Sequence, residues 1–269
     1  MKLEFTKMNG AGNDFIIACD NDRVWPSDSA FVKKICSRTR GVGADGLILL
    51  RDDKASGLIE LKIFNRDGSE AEMCGNGLRC STIFAFRQMG AGAKMSFSTA
   101  AGKLGTEVGE KNKATIEIPL LFDFSELNID GTRLFYGNTG VPHAVVPVEN
   151  LEAVDVAGQG RLLRNHDAFK PAGTNVDFIL VDDSSSCAHI RTYERGVEAE
   201  TSACGTGAAA VAVCLFKFFK KEGPCEIITT ENDVLGVELI ARDNIVSRIK
   251  LSGNALEVFR GKINTDDLR

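Results

Sequence analysis

Two long segments of the chain are almost continuously apolar and rich in alanine, which is typical of helices that are buried on most sides. They cover residues 77–88 and 207–221. Glycines follow both segments, Gly90 after the first and Gly223 after the second, and a glycine at this place commonly ends a helix. The pattern therefore predicts two buried helices, one in each half of the chain.

Short runs in which apolar and polar residues alternate surround these helices and are typical of half-buried strands. Upstream of each helix such a run ends in an aromatic residue, in 61–64 (LKIF) and in 189–193 (HIRTY). Downstream, residues 99–108 (TAAGKLGTEV) are similar to residues 230–239 (TENDVLGVEL). Both halves therefore follow one order of strand, acidic loop, helix and short alternating strands.

The two halves also share a motif at the start of each predicted helix. An offset of 130 residues lays 74–77 (CGNG) over 204–207 (CGTG). A repeat that occurs twice and exceeds a hundred residues indicates a duplicated unit rather than a solenoid. We predict a mixed α/β fold of the α+β type with two similar lobes, each a β-rich, barrel-like sheet around a central helix. The active site is expected in the cleft between the lobes.

A chain of 269 residues is long enough for two domains of common size. We expect an N-terminal lobe over residues 1–120, which carries Cys74, and a C-terminal lobe over residues 121–255, which carries Cys204. The remaining segment, 256–269, is expected to pack back on the N-terminal lobe.

Composition and charge disfavour several classes of partner. The chain is 43% hydrophobic and 26% charged, as in ordinary globular proteins, and its net charge of −5 disfavours nucleic acid. Its longest apolar run, residues 207–216, is about half of the ~20 residues that a membrane span needs. The charged N-terminal residues do not resemble a secretory signal. We expect a cytoplasmic protein that binds neither nucleic acid nor a membrane.

Eight cysteines in such a chain are expected to be reduced thiols rather than a disulfide framework. A metal site is not predicted, because the chain has no C-x-x-C motif and no histidine close in sequence to its cysteine pairs. Six of the thiols are expected to be small buried apolar residues: Cys19, Cys36, Cys80, Cys187, Cys214 and Cys225.

Cys74 and Cys204 differ from the other six, because packing alone does not explain the duplication of a whole Cys-Gly-x-Gly helix start. A helix N-terminus favours negative charge, so it is expected to lower the thiol pKa from its usual ~8.5. One such cysteine on each face of a single carbon can remove a proton while the other delivers one, which is the geometry of stereoinversion. A redox disulfide between the lobes is the alternative, although its C-x-x-C signature is absent.

A glycine motif at residues 41–46 (GVGADG) matches the G-x-G-x-x-G pattern of dinucleotide-binding proteins. That pattern binds a pyrophosphate only between a strand and a following helix. Here a helix-like stretch, 30–38, precedes the glycines and a strand-like stretch, 47–50, follows them. We therefore interpret them as structural glycines of a helix-to-strand turn.

Five motifs in this order resemble the diaminopimelate epimerase family over nearly the entire chain. They are 9–15 (NGAGNDF), 64–70 (FNRDGSE), 73–80 (MCGNGLRC), 193–196 (YERG) and 200–207 (ETSACGTG). The resemblance implies a homodimeric enzyme that interconverts LL- and meso-2,6-diaminopimelate for lysine and peptidoglycan synthesis, without pyridoxal phosphate or another cofactor.

The resemblance also assigns residues. Cys74 and Cys204 are the catalytic acid and base, and His143 and Glu194 modulate the pKa of the cysteines. Backbone amides at Gly75, Asn76, Gly205 and Thr206 face the reacting carboxylate. The other substrate-binding residues that it implies are Asn13, Asn65, Asn175, Glu194 and Arg195. Two opposite charges next to each other suit a substrate with two zwitterionic ends, although from sequence alone Glu194 and Arg195 fit a surface ion pair equally well.

Two positions depart from the family pattern. Val141 replaces a common substrate-contacting asparagine, for which Asn138 or Thr139 are candidate substitutes, and Gly46 replaces a glutamine. Proline racemases and hydroxyproline epimerases also use paired cysteines, but their first motif usually contains histidine where this chain has Asn76. A non-enzymatic binder of small molecules and a thiol redox protein are the alternatives from other classes.

Overall fold

The computed structural model describes residues 1–71, 73–182, 184–202, 204–243 and 245–268. Ala203, which belongs to the motif at 200–207, lies outside the described residues. The chain divides into two compact units. The first comprises residues 1–116 and 253–269, and the second comprises residues 117–252.

The first unit alternates short strands with two helices. Its elements are β1 (Lys2–Gly10), β2 (Asn13–Cys19), α1 (Ser29–Cys36), β3 (Gly46–Asp53), β4 (Leu58–Asn65), β5 (Glu70–Ala71), α2 (Gly75–Gln88), β6 (Lys94–Thr99), β7 (Gly102–Val108), most of β8 (Lys113–Ile118), β18 (Leu256–Asn264) and a 3₁₀ turn (Thr265–Leu268).

The second unit repeats this succession. Its elements are β9 (Phe122–Ile129), β10 (Thr132–Asn138), β11 (Pro142–Pro147), α3 (Val156–Arg164), a 3₁₀ turn (Asp167–Phe169), β12 (Asn175–Val181), β13 (Cys187–Glu194), β14 (Ala199–Thr201), α4 (Gly205–Phe218), β15 (Cys225–Ile228), β16 (Val234–Arg242) and most of β17 (Ile245–Asn254).

Strand pairing follows one order in both units. In the first unit β1 lies antiparallel to β18 and β2, β2 parallel to β3, β3 antiparallel to β4, β4 parallel to β6, and β6, β7 and β8 form a meander. In the second unit β10 lies antiparallel to β9 and β11, β11 parallel to β12, β12 antiparallel to β13, β13 parallel to β15, and β15, β16 and β17 form a meander. The predicted duplication and the sheet-dominated α+β class are confirmed.

The two alanine-rich helices are the central elements of their units, as their composition predicts. Residues 76–85 of α2 and 207–215 of α4 are buried without interruption. α2 packs against β1, β2, β3 and β7, and α4 packs against β10 to β13, β15 and β16. Because strands far apart in the pairing order contact the same helix, each sheet curves around it.

Both central helices begin two residues before their predicted starts, because Cys74 and Cys204 are N-caps with extended backbone. Gly90, with φ of 70°, ends α2 as predicted. The prediction that Gly223 ends α4 is wrong. Lys220 takes the left-handed conformation there, with φ of 57°, and the Lys221 amide donates back to the Leu215 carbonyl.

The smaller helices cover the outer faces of the sheets. α1 begins at the N-cap Asp28, whose carboxylate accepts from the Phe31 amide at 3.0 Å. It buries Phe31, Val32 and Ile35 in a core shared with β1, β2 and β3. α3 belongs to a corresponding core in the second unit, with Phe178 on β12 and Tyr193 on β13.

The glycine motif at 41–46 connects α1 to β3, which confirms the structural interpretation. Amides of Gly43 and Ala44 donate to the last carbonyls of α1, those of Ile35 and Cys36. A Cβ on Gly41 would lie 2.2 Å from the Lys34 carbonyl oxygen, so only glycine fits.

Among the helices of the described residues, none has the length and apolar character that crossing a membrane requires.

Candidate active site

The first motif cysteine is held at the start of α2. Cys74 is half-buried and its Sγ accepts from the backbone amide of Gly77 at 3.4 Å. This contact satisfies one of the amides that a helix start leaves without a partner inside the helix. The Gly77 amide therefore orients the Cys74 sulfur at the N-terminus of α2.

Asn76 is buried two residues into the same motif. Its side-chain amide donates to Asn13 Oδ1 at 2.6 Å, and its own oxygen accepts from Arg79 at 2.8 Å. The side chain of Asn76 thus holds Asn13, predicted above to bind substrate and located at the start of β2, beside the N-terminus of α2.

An ionic cluster supports Asn13 from the other side. The Asn13 amide donates to Asp45 at 3.3 Å, and Arg38 bridges Asp45 and Asp14. Lys7, whose side chain is only 8% exposed, pairs with Asp14 at 2.7 Å and donates to the Gly43 carbonyl. The glycine turn therefore supplies Asp45 and Gly43 to this cluster.

The cluster makes folding stability sensitive to acid. Burial alone would raise the pKa of Asp14, but hydrogen bonds from Arg38 and Lys7 outweigh it and hold the pKa well below its usual range. A carboxyl with a depressed native pKa contributes stability above its unfolded pKa of ~3.9, and this contribution is lost as pH falls toward the native pKa.

We expect Asp14→Asn to flatten the fall in unfolding free energy below about pH 4, because the titrating group is gone. Denaturant unfolding between neutral and acid pH measures this slope. Asp52→Asn on the exposed end of β3 is the control, and an unchanged slope in Asp14→Asn would contradict the role of the cluster.

Asn65 lies at the exposed end of β4, where its amide donates to Ser69 Oγ at 3.0 Å. Its partner in the sheet is Gly46, one of the two departures from the family pattern. A Cβ at position 46 would lie 2.7 Å from the Phe64 carbonyl oxygen. A glutamine there would therefore require the backbone to move in this chain.

The second motif cysteine has different surroundings. Cys204 is 8% exposed and its Sγ lies 3.3 Å from Thr206 Oγ1. Burial, followed by the charges of Glu194 and Asp177, raises the pKa of Cys204 well above its usual value. The expectation that the helix start lowers this pKa is wrong for Cys204, because burial and two carboxylates outweigh the Thr206 hydroxyl and the Gly207 amide.

His143 lies at the start of β11 and is fully buried. Its Nδ1 is 2.6 Å from Asp177 Oδ2, and its Nε2 is 2.9 Å from Thr206 Oγ1. Asp177 is also fully buried and accepts from Thr192 Oγ1 at 2.7 Å. Sequence reasoning missed Asp177, although a carboxylate inside the apolar strand β12 signals a buried partner.

Asn175 is buried at the start of β12, next to the histidine. Its Oδ1 accepts from the Arg195 backbone amide at 2.7 Å, and its Nδ2 lies 3.4 Å from His143 Nε2. The Arg195 guanidinium donates to the Ala172 carbonyl at 3.3 Å. Burial raises the pKa of Glu194, while the nearby Thr201 hydroxyl acts in the opposite direction. Glu194 is thus not part of a solvated surface ion pair.

The two candidate substitutes for the missing family asparagine already have hydrogen-bond partners, one within the loop and one at the start of α4. Asn138 Oδ1 accepts from the Gly140 amide at 2.9 Å. Thr139 is fully buried and its hydroxyl donates to the Thr206 carbonyl at 2.8 Å. Val141, between them and His143, is half-buried. Thr139 and Asn138 therefore brace the loop that precedes His143.

All eight cysteines belong to the described residues and are free thiols. Cys36, Cys80, Cys214 and Cys225 are buried, as predicted. The prediction is wrong for Cys19, which is exposed at the end of β2, and for Cys187, which is half-buried at the start of β13. Strand ends leave one side of a small residue open to solvent.

Within the part of the chain that the structure describes, no three His, Cys, Asp or Glu side chains could hold a metal ion together.

Within the second unit, the structure thus joins four of the predicted residues, Cys204, Thr206, His143 and Asn175, into one network. Within the first unit it joins Asn13 to Asn76, which lies two residues after Cys74. Each unit presents a helix N-terminus with a sulfur at its cap, which suits the binding of a carboxylate and the transfer of a proton.

Comparisons with known proteins agree with these motifs. The family model described as diaminopimelate epimerase matches residues 5–119 and 135–246. A diaminopimelate epimerase of Aquifex aeolicus (strain VF5) is 40% identical over 281 aligned residues, which cover 99% of each chain. One of Archaeoglobus fulgidus is 35% identical and covers 100% of this chain and 99% of its own.

Solved structures show the same fold at low sequence identity. A phenazine biosynthesis protein of the PhzF family from Bacillus anthracis has a TM-score of 0.73 at 17% identity and covers 98% of this chain and 99% of its own. A hydroxyproline epimerase from Agrobacterium vitis has a TM-score of 0.69 at 15% identity, with coverage of 97% and 92%. With a family model that matches both halves and relatives that match it from end to end, the chain belongs to the diaminopimelate epimerase family.

Proposed function

We propose that this protein is an isomerase that interconverts LL- and meso-2,6-diaminopimelate, with Cys74 and Cys204 as the two proton-transferring groups. One observation carries the proposal. The two cysteines are N-caps of the same central helix in two copies of one fold, and each is followed by Gly-x-Gly. A structural cysteine needs no such duplicated setting, whereas a reaction on two faces of one carbon needs two equivalent groups.

The reaction requires one thiolate and one thiol. The thiolate removes the α-proton of the substrate from one face, and the thiol of the other cysteine delivers its proton to the opposite face. The carbon is inverted and the two sulfurs have exchanged protonation states, so the pair titrates as a coupled unit. The developing negative charge spreads into the α-carboxylate, which the amides of Gly75 and Asn76 and those of Gly205 and Thr206 stabilise at the two helix N-termini.

The polar residues around the motifs hold the substrate. Diaminopimelate carries an ammonium and a carboxylate at each end, and a closed pocket must satisfy both. Glu194 supplies a carboxylate and Arg195 a guanidinium, and Asn13, Asn65 and Asn175 supply amides. The networks around Asn13 and Asn175 orient these side chains before substrate binds. The protein needs no cofactor for this chemistry, because the thiols transfer the proton themselves.

The same resemblance supports three further parts of the proposal. The enzyme acts in the cytoplasm, it supplies lysine and peptidoglycan precursors, and it works as a homodimer. Three exposed apolar side chains on β18, Leu256, Val258 and Phe259, support the existence of a contact between copies.

Proline and hydroxyproline are disfavoured as substrates, because Asn76 stands where their enzymes usually have histidine and because they lack a second zwitterionic end.

Isotope exchange tests the function. Reduced protein in D₂O with LL-diaminopimelate and no added cofactor is expected to place deuterium on the α-carbon and to form the meso isomer, which NMR and mass spectrometry measure. Proline, hydroxyproline and glutamate in parallel reactions are the specificity controls. Exchange with proline but not diaminopimelate would assign the chain to the racemase reaction, and exchange with none would remove the epimerase proposal.

A further inference from the structure

The contacts of Cys204 continue through three residues into the interior of the second unit. The sulfur contacts Thr206 Oγ1 at 3.3 Å, Thr206 Oγ1 contacts His143 Nε2 at 2.9 Å, and His143 Nδ1 contacts Asp177 Oδ2 at 2.6 Å. We propose that Thr206, His143 and Asp177 form a relay that takes the thiol proton of Cys204, with Asp177 as the positioning residue that holds His143. This inference rests on the proposed role of Cys204 as a proton-transferring group.

The chemistry of the end group sets the direction of the hydrogen bonds. An ionised Asp177 only accepts, so His143 donates from Nδ1 and leaves Nε2 as an acceptor in the neutral ring. Nε2 then accepts from the Thr206 hydroxyl, and the oxygen of that hydroxyl accepts from the Cys204 thiol. Every donor in the row therefore points away from the sulfur and toward Asp177.

Proton transfer along this row is balanced. The thiol proton moves to Thr206 Oγ1 as the hydroxyl proton of Thr206 moves to His143 Nε2. The products are the Cys204 thiolate, an unchanged threonine hydroxyl, and an imidazolium paired with the Asp177 carboxylate. The reverse transfer restores the thiol, so the relay adds and removes one proton without another reactant. This division of roles follows the logic of a nucleophile, histidine and aspartate triad, with a hydroxyl inserted between the first two.

Burial keeps the row in one arrangement. His143 and Asp177 have no exposed surface, and the Thr139 hydroxyl fixes the carbonyl of Thr206. Gly207 allows the first turn of α4 to approach Asp177, since a Cβ there would lie 2.7 Å from Asp177 Oδ1. The positive end of α4 therefore stabilises the buried carboxylate.

The relay offsets the unfavourable electrostatics of a thiolate at Cys204. The titratable groups that act on this sulfur are Glu194 on β13, Asp177 on β12 and, through Thr206, His143 on β11. Both carboxylates oppose a thiolate, as does burial. A proton placed on His143 puts a positive charge between Asp177 and the site, which offsets this opposition when Cys204 acts as the base.

The first unit has no counterpart of the relay at the equivalent described positions. The strand registers give the equivalent positions, because Leu47 pairs with Phe64 in the first unit as Val176 pairs with Tyr193 in the second. By the same registers Phe15 stands where the second unit has His143, and Ile48 stands where it has Asp177. Asn76 takes the place of Thr206 in the repeated Cys-Gly-x-Gly motif. None of these three side chains takes up a proton at ordinary pH, so among these described positions the relay belongs to the second unit.

Variants of Thr206 test the row directly. Thr206→Val keeps the side-chain shape and the backbone amide but removes the hydroxyl, so α-hydrogen exchange in D₂O is expected to fall by about 10²-fold, a typical contribution of proton transfer. Thr206→Ser restores a hydroxyl and is expected to retain activity within about tenfold. Equal activity of the valine and serine variants would overturn the proposal.

The variant Asp177→Asn distinguishes a proton relay from a purely electrostatic effect of Asp177. The two interpretations predict shifts of the pH–rate profile in opposite directions. If Asp177 acted only as a nearby negative charge, its removal would ease ionisation of Cys204 and move the base limb of the pH–rate profile to lower pH. If Asp177 holds a proton-accepting His143, its removal moves that limb upward, by about one pH unit or more. We expect the upward shift, and a downward shift or none would overturn the proposal.

Asp20→Asn is the matched control, because Asp20 is an equally buried carboxylate in the first unit. It is expected to lower thermal stability without moving the pH–rate profile. Ultraviolet titration of the Cys204 thiolate, taken as the difference between wild type and Cys204→Ser, reads the relay without substrate. If wild type failed to exchange diaminopimelate, the proposed function would fail, while the upward shift of this titration in Asp177→Asn and Thr206→Val would still decide the relay.

Discussion

Alanine in place of Cys204 is expected to lower kcat/KM for epimerisation by about 10³- to 10⁴-fold in both directions, and alanine in place of Cys74 is expected to do the same. Inversion needs a proton donor on one face of the carbon and an acceptor on the other, so neither sulfur can serve alone. Steady-state conversion of LL- to meso-diaminopimelate and the reverse measures this effect.

Cys214→Ala is the matched control, since Cys214 is a free buried thiol on the same helix, α4, as the N-cap Cys204. Its loss is expected to reduce stability slightly and to leave turnover near wild type. Near-normal epimerisation by either Cys74→Ala or Cys204→Ala would refute the two-base mechanism. A similar loss of activity in Cys214→Ala would show that the effect arises from packing of the helix.

Alanine in place of Asp20 is expected to lower the free energy of unfolding by about 3–5 kcal/mol, the cost of breaking a buried ion pair from one side. The Asp20 side chain is fully buried and its Oδ2 accepts from Arg51 Nη2 at 2.7 Å. Its Oδ1 accepts from the backbone amides of Val24 and Trp25 at 2.8 and 3.0 Å. The variant therefore leaves two buried amides without their acceptor and reduces the contacts of the Arg51 guanidinium to its pairing with Glu60 at 3.2 Å. Trp25, which packs beside Phe31, loses the hydrogen bond that holds its backbone.

Denaturant unfolding monitored by the single tryptophan measures this change. Asp53→Ala, on the exposed end of β3, is the control and is expected to change stability by less than about 1 kcal/mol. A loss of less than about 1 kcal/mol in Asp20→Ala would mean that water satisfies the two amides and that Glu60, which already pairs with Arg51, suffices for the guanidinium. The buried Asp20–Arg51 pair would then not be a main support of the first unit.

The duplication could be predicted because its signals are local in sequence. Alanine-rich segments, alternating runs and a motif repeated at an offset of 130 each follow from the spacing of side chains along helices and strands. The succession of strands and helices in the two units confirms the order of elements that these patterns predicted, and α2 and α4 lie where expected. The end of α4 was misplaced, because a left-handed lysine, Lys220, replaces the expected glycine and leaves no signal in composition.

By itself, the sequence determined that two Cys-Gly-x-Gly motifs begin the central helices, since such a helix start depends only on neighbours within one turn. The tertiary structure alone decided how those residues are tuned. Asp177 reaches His143, 34 positions earlier in the chain, because the parallel strands β11 and β12 pair His143 with Asn175. Asp177 follows Asn175 by two residues and therefore lies on the same face of β12. Burial beside two carboxylates raises the pKa of the Cys204 thiol, whereas the helix start alone would lower it. Both effects depend on distances across the fold and on exclusion of water, which no local pattern of side chains encodes.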